Sequence, residues 1–285
     1  MKLIRFGGAG SERPGVLLEG GRRIDVSAFA GDYDEAFFAS DGVNGLRAWL
    51  SRHSASAPGV PDDVRLGPPI RRPSKIVCIG VNFRDHAAES GAEIPREPVI
   101  FFKATTSLAG PNDSVVIPRG GTKLDWEVEL AVIIGRTARY VTREQATEFV
   151  AGYALHNDYS ERTFQLERGG QWSKGKSADT FAPLGPFLAT RDELPDTSSL
   201  QMWLDVNGEA RQRSTTANMI FDVPTLVSYI SGFMTLLPGD VISTGTPAGV
   251  ALGMRPAPVY LKPGDEVTLG IDRLGQSRQR VMACP

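Results

Sequence analysis

The chain has 285 residues, 41% of them hydrophobic and 22% charged, with a formal net charge of −2. That length holds one large domain, or one large and one small, and the near-neutral balance gives neither nucleic acid nor an anionic membrane a reason to bind. Two cysteines, Cys78 in an apolar run and Cys284 beside the C-terminus, do not make a disulfide-stapled secreted scaffold. Met1 to Phe6 lacks the apolar core of a signal peptide. No run nears the roughly 18 apolar residues of a membrane span. The expectation is a soluble, cytoplasmic protein with no nucleic-acid or membrane partner.

Residues 1–53 read as a small α+β unit. Gly15 to Leu18 and Arg23 to Val26 look like two strands joined by a Glu-Gly-Gly turn, and Leu46, Trp49 and Leu50 fall at helical spacing. Residues 54–74 carry Pro58, Pro61, Pro68, Pro69 and Pro73, which reads as an extended linker. The predicted division is therefore a small N-terminal domain over 1–70 and a larger domain over 71–285.

Beyond the linker the signals are mostly strands: Ile76 to Ile79, Val99 to Phe102, Trp126 to Ile134 and Leu200 to Val206. Thr142 and Gln145 fit a capping box before a short helix. Asn207-Gly208 signals a hairpin. Asp222 caps a predicted helix with Pro224 near its start and Leu226, Tyr229 and Ile230 on one face. Lys262 to Asp265 makes a turn between two late strands. Without internal repeats or βαβ alternation, a strand-dominated α+β barrel or roll fits better than a doubly wound fold.

The run Asp125-Trp126-Glu127-Val128-Glu129-Leu130 alternates, so in a strand Glu127 and Glu129 share one face. The apolar stretch Ala131 to Ile134 that follows predicts burial, where neighbouring carboxylates need a cation or solvent. Asp158, ending the apolar stretch from Tyr153, offers a third oxygen ligand. Three carboxylates suit a hard ion such as Mg²⁺, Mn²⁺ or Ca²⁺. Remote cysteines and only three histidines give zinc little support. On spacing alone, an edge strand turning both charges to water is the commoner explanation.

Further motifs at these positions shift that balance. Cys78 to His86, Phe102-Lys103, Asp125 to Leu130, Asn157 to Arg162, Gln171 to Ser177 with Asp179-Thr180, and Ser243 to Gly249 occur in order over about residues 74–282. Together they resemble the fumarylacetoacetate hydrolase family. The resemblance implies a small N-terminal domain, a C-terminal mixed β-roll, a homodimer built through the roll, and Mg²⁺ or Mn²⁺ on Glu127, Glu129 and Asp158. The N-terminal segment is similar to a bacterial branch of acylpyruvate hydrolases, ureidoglycolate lyases and hydrolases of 2,4-diketo-3-deoxy sugar acids such as 2,4-diketo-3-deoxyrhamnonate.

The implied reaction is hydrolysis of a C–C bond in a 2,4-dioxo acid to pyruvate and a second acid. The substrate's carboxylate and 2-keto oxygens can chelate one metal, a Lewis acid for the enolate left on C3. Lys176 is a candidate second cation there. His86 and Glu89, at i and i+3 of a short helix, are the candidate base that takes a proton from water, with Glu89 orienting the imidazole. The loop Ser90 to Pro95 resembles the family's mobile lid. Arg162, Gln165 and Thr246 match positions that contact substrate, although Arg162 could instead pair with a metal-site carboxylate. Lys103 is either electrostatic support or a strand end. His156 reads as a satisfied core histidine, His53 as solvated, Cys78 as core, and Gly7 to Gly10 as a loop without the dinucleotide-binding spacing. Competing readings on the same metal are oxaloacetate decarboxylation, keto–enol tautomerisation and ureidoglycolate cleavage.

Overall fold

Strands dominate the computed structural model, which describes residues 1–285. Its longest helix, Gly42–His53, has 12 residues. An 11-stranded sheet runs in the order Gly59–Val60, Arg23–Asp25, Arg13–Leu17, Lys2–Phe6, Leu188–Thr190, Val150–Asn157, Val128–Ile134, Val241–Ser243, Ile76–Gly80 and Val99–Lys103, with Leu66–Gly67 also paired to Lys2–Phe6. Most neighbours are antiparallel, but Val241–Ser243 runs parallel to Ile76–Gly80. A five-stranded sheet, Glu209–Thr215, Gln201–Val206, Glu266–Ile271, Gly275–Met282 and Val115–Val116, lies beside it. This is the strand-dominated α+β architecture with mixed sheets that the sequence predicts.

The central strand Val128–Ile134 is buried at every position, which explains why its sequence is apolar on both faces. Val128, Leu130, Val132 and Ile134 belong to a core cluster of 40 residues; Ala131 and Ile133 face a second cluster of 21. Glu127 and Glu129 continue the second row. The carboxylates therefore lie on a central strand and its entry, and the edge-strand alternative does not apply.

Several local readings change. The proline-rich segment is no free linker: Gly59–Val60 pairs with Arg23–Asp25, and Leu66–Gly67 with Lys2–Phe6. Lys2–Phe6 in turn pairs with Leu188–Thr190, so the sheet runs unbroken across residue 70. The Thr142 box yields only the 3-10 turn Ala146–Phe149, without a side-chain cap. Lys262 to Asp265 precedes the strand Glu266–Ile271 and does not join the last two strands, which meet around Asp272 to Leu274. Asp222 does cap Val223–Ser231, its Oδ1 accepting the Thr225 N–H at 3.0 Å. Asn207 and Gly208 take positive φ of 52° and 79° at the hairpin tip. No helix is long and apolar enough to cross a membrane.

Candidate active site

Glu127, Glu129 and Asp158 each offer an oxygen, and the three lie within 4.8 Å of one another in the protein interior. The pairing of Val128–Ile134 with Val150–Asn157 brings them together: Val128 sits opposite Asn157 and Glu129 opposite His156. The Asp158 N–H donates to Glu127 O at 2.9 Å, so the ladder extends to the third carboxylate.

Buried charge requires compensation, and three cations supply it. Lys176 Nζ donates to Glu127 Oε2 at 2.6 Å and to Asp158 Oδ2 at 2.9 Å. Lys103 Nζ donates to Asp158 Oδ1 at 2.5 Å. Arg162 donates from Nη2 to Glu127 Oε1 at 2.7 Å and from Nε to Asp125 Oδ2 at 2.9 Å. Asp125 is thus a fourth buried carboxylate; its oxygens also accept the Ala251 and Leu252 N–H groups at 2.7 and 3.0 Å, anchoring the 245–253 loop. Four carboxyl groups thus face three cations, and none of the three reaches Glu129.

These contacts pull the titrations apart. Burial pushes the Lys176 ammonium towards deprotonation, but Asp158 and Glu127 outweigh it and hold it above the usual lysine range. Burial raises Asp158 too, yet Lys103 and Lys176 bring it well below the usual carboxylate range. Glu129 is raised well above it by burial and by the charges of Asp158 and Glu127. Its Oε2 accepts the Ser243 hydroxyl and the Gly245 N–H, while no hydrogen bond is made to Oε1. Gly245 must be glycine: its φ is 97°, and a Cβ would lie 2.9 Å from Asn82.

Glu127 and Glu129 open into a cavity of about 340 Å³ that is also lined by His86, Gln165, Trp172, Lys176, Thr246 and Arg255, while Asp158 stays buried behind it. His86 stands on the helix Arg84–Ser90, entered through Val81 at a φ of 52°. That turn is fixed by Asn82, which donates to Thr244 O at 2.7 Å and accepts the Phe221 N–H at 2.8 Å. His86 Nδ1 lies 3.5 Å from Glu89 Oε2, an ion-pair distance longer than a hydrogen bond, and has no hydrogen-bond partner. His86 and Lys176 therefore line the same cavity as Glu127 and Glu129; Glu89 reaches it only through His86, and Asp158 only through Lys176.

The residues assigned to substrate are in large part engaged within the protein. Arg162 pairs with Asp125 and Glu127, the alternative its sequence position left open. Gln165 Oε1 accepts Arg162 Nη1 at 2.8 Å, leaving its amide N–H₂ uncommitted. The Thr246 hydroxyl donates to Val128 O at 3.0 Å and accepts Gln212 Nε2 at 2.8 Å, so it lines the cavity with its polar capacity largely spent. Sequence reasoning missed Gln212, which also accepts the Val128 N–H at 2.9 Å, and it left Lys103 undecided. His156 is buried but not fully satisfied: Nδ1 contacts Ser243 Oγ at 2.6 Å, and Nε2 has no partner. Burial lowers its pKa to about 3, so the ring is neutral. His53 stacks on Trp49 at 4.8 Å and is half-buried, not solvated. Cys78 is buried, as expected.

Clustered hard carboxylate oxygens and an uncommitted Glu129 Oε1 fit a divalent cation held by Glu127, Glu129 and Asp158. No cysteine or histidine joins the three carboxylates in this cluster, as a zinc site would favour.

Residues 75–282 match the model of the fumarylacetoacetate (FAA) hydrolase C-terminal family. A candidate hydrolase of Burkholderia multivorans is 50% identical over 99% of both chains. The 5-carboxymethyl-2-hydroxymuconate delta-isomerase of Mycobacterium smegmatis superposes with a TM-score of 0.77 at 32% identity, covering 100% of both chains. Maleylpyruvate hydrolase of Sphingobium sp. SYK-6, solved with manganese(II) and pyruvate, superposes with a TM-score of 0.82 at 31% identity over 100% of both.

Proposed function

Because the chain belongs to the fumarylacetoacetate hydrolase family, we propose that it hydrolyses the C3–C4 bond of a 2,4-dioxo acid, releasing pyruvate and a second acid with the help of Mg²⁺ or Mn²⁺. The observation that carries this reading is the buried carboxylate triad, two of whose members, Glu127 and Glu129, line one cavity with His86 and Lys176. The maleylpyruvate hydrolase solved with manganese(II) and pyruvate supports the same chemistry by similarity. A small-molecule 2-oxo acid in the cytoplasm is the partner, and the enzyme acts as a homodimer.

Glu127, Glu129 and Asp158 would hold the cation, which when bound supplies a Lewis acid for the carboxylate and 2-keto oxygens of the substrate. His86 takes a proton from water as that water adds to C4, and Glu89 orients the imidazole. The C3–C4 bond then breaks, and its electron pair stays on C3 as the enolate of pyruvate. Lys176, held protonated between two carboxylates, is a fixed cation that offsets this charge. Protonation of C3 completes pyruvate. The Trp172 ring packs 5.4 Å from Phe101, and both rings line the cavity.

The test is pyruvate release from a panel of 2,4-dioxo acids and oxaloacetate, with Mg²⁺ and with chelator, in wild type and His86→Ala. Metal-dependent pyruvate from a dioxo acid, lost in the variant, supports the proposal. The isomerase among the superposable structures favours one alternative, keto–enol or double-bond isomerisation, which needs the chelate but no attacking water. Turnover that survives in His86→Ala without a second acid appearing selects that alternative.

A further inference from the structure

His156 stands directly opposite Glu129 in the register of the two central strands, and Ser243 sits on the next strand, opposite Ala131. The three side chains form a line: His156 Nδ1 lies 2.6 Å from Ser243 Oγ, and Ser243 Oγ lies 2.5 Å from Glu129 Oε2. All three are buried, with no more than 1% of any exposed.

Counting protons along this line fixes its direction. Ser243 has one hydroxyl proton, and Glu129 Oε2, which also takes the Gly245 N–H, is an acceptor whether or not Oε1 carries a proton, so the Ser243 proton points at Glu129. Ser243 Oγ is then an acceptor towards His156, and Nδ1 must carry the imidazole N–H. The other ring nitrogen agrees. His156 Nε2 is buried without a partner, and a bare lone pair is tolerated there better than a stranded N–H. Both ends of the imidazole thus select the Nδ1–H tautomer.

We propose that His156 and Ser243 are positioning residues for Glu129. The imidazole N–H holds the Ser243 hydroxyl so that its proton engages Glu129 Oε2, and Glu129 presents Oε1 as an anionic ligand to the divalent cation. Gly245 N–H, on the same oxygen at 2.9 Å, completes the orientation. His156 itself is no ligand, because the Ser243 hydroxyl separates it from the carboxylate. Support of this kind behind a metal ligand commonly governs affinity by one or two orders of magnitude. The inference rests on the proposed metal role of the triad.

Calorimetric titration of Mn²⁺ into metal-free protein tests it, with wild type, Glu129→Gln, Ser243→Ala, His156→Leu and His156→Asn compared after thermal melts establish folding. Ser243→Ala and His156→Leu are expected to weaken Mn²⁺ binding by about 10- to 100-fold. His156→Asn, whose amide N–H can take the place of Nδ1–H, restores most of the affinity. In a Ser243→Ala background, adding His156→Leu costs nothing further, because the link is already cut. Wild-type affinity in His156→Leu, or equal losses in His156→Leu and His156→Asn, overturns the couple while leaving the metal site standing. Should His156→Leu not fold, undiminished binding by Ser243→Ala overturns it alone. Wild-type protein that takes up no Mn²⁺, indistinguishable from Glu129→Gln, overturns the metal reading and this one with it.

Discussion

Gly249 and Glu89 are joined through both carboxylate oxygens, the Gly249 N–H lying 3.0 Å from Oε1 and 3.1 Å from Oε2. The contact ties the helix bearing His86 to the loop that follows Val241–Ser243. It also keeps Glu89 ionised: burial pushes its carboxyl up, but His86 and the Gly249 N–H bring it below the ordinary value. Glu89 is thus an anion throughout the neutral range, as an orienting partner for His86 must be.

Gly253 provides a way to disturb that pair without touching it. A Cβ at Gly253 would lie 2.5 Å from Glu89 Cδ and 2.6 Å from Oε2. The end of a glutamate side chain moves readily, so Gly253→Ala is expected to fold and melt like wild type while displacing Glu89 from His86. Turnover should fall by roughly 10- to 100-fold, part of what a positioned base contributes. Steady-state kinetics beside a thermal melt decide: unchanged kcat means the His86–Glu89 pair does not set the rate.

Lys103 is fully buried and holds Asp158 Oδ1 and the Tyr159 carbonyl. Lys103→Met keeps the length and removes the charge, leaving Asp158 with one cation. Breaking one side of such a pair costs about 3–5 kcal/mol, read as a lower urea midpoint of the metal-free protein. Saturating Mg²⁺ should recover part of the loss. An unaltered midpoint would mean Asp158 does not depend on Lys103 for its charge.

The residues visible in the sequence are those whose signal is local. Glu127 and Glu129 announce themselves by strand alternation, and His86 and Glu89 by helical spacing. Lys103 meets Asp158 across 55 residues, Gln212 meets Val128 across 84, and Ser243 meets Glu129 across 114. No local pattern encodes contacts made only when strands pair. The same holds for Gly59–Val60 and Leu66–Gly67, two-residue strands that exist because a neighbour supplies their hydrogen bonds. Their prolines and glycines read as linker because intrinsic preference is weak evidence where tertiary pairing decides.

Arg162 separates the two roles the sequence left open. Its guanidinium engages Asp125, Gln165 and Glu127 through three different nitrogens, a fork that an ammonium group cannot reproduce. Arg162→Lys should therefore lower stability by about 1–3 kcal/mol, the cost of a stranded buried polar group, and weaken Mn²⁺ binding along with kcat. A variant that melts normally, binds Mn²⁺ normally and shows only a raised KM would return Arg162 to substrate recognition.

Glu129 and Asp158 make the metal's effect on stability depend on pH in a definite direction. A carboxyl raised in the folded state, as Glu129 is, holds its proton more tightly there than in the unfolded chain. Its contribution is complete below the ordinary glutamate pKa of about 4.3 and is lost as pH rises through the folded value. Asp158, lowered in the folded state, contributes above about 3.9 and loses that contribution only in acid. From the ordinary glutamate pKa up to the folded Glu129 value the Asp158 contribution is constant and that of Glu129 falls. His156, with a folded pKa of about 3, adds stability up to the ordinary histidine pKa of about 6.5. The comparison with and without metal, in which His156 cancels, isolates Glu129. A divalent cation takes the place of the Glu129 proton and is bound more tightly as that proton becomes easier to remove. The gap in melting temperature between Mg²⁺ and chelator should therefore widen across this range, and calorimetry in buffers of different ionisation enthalpy should register proton release on binding. A gap that stays flat, with no proton released, would mean that Glu129 is already ionised in the metal-free protein and that Lys176 and its neighbours neutralise the triad unaided.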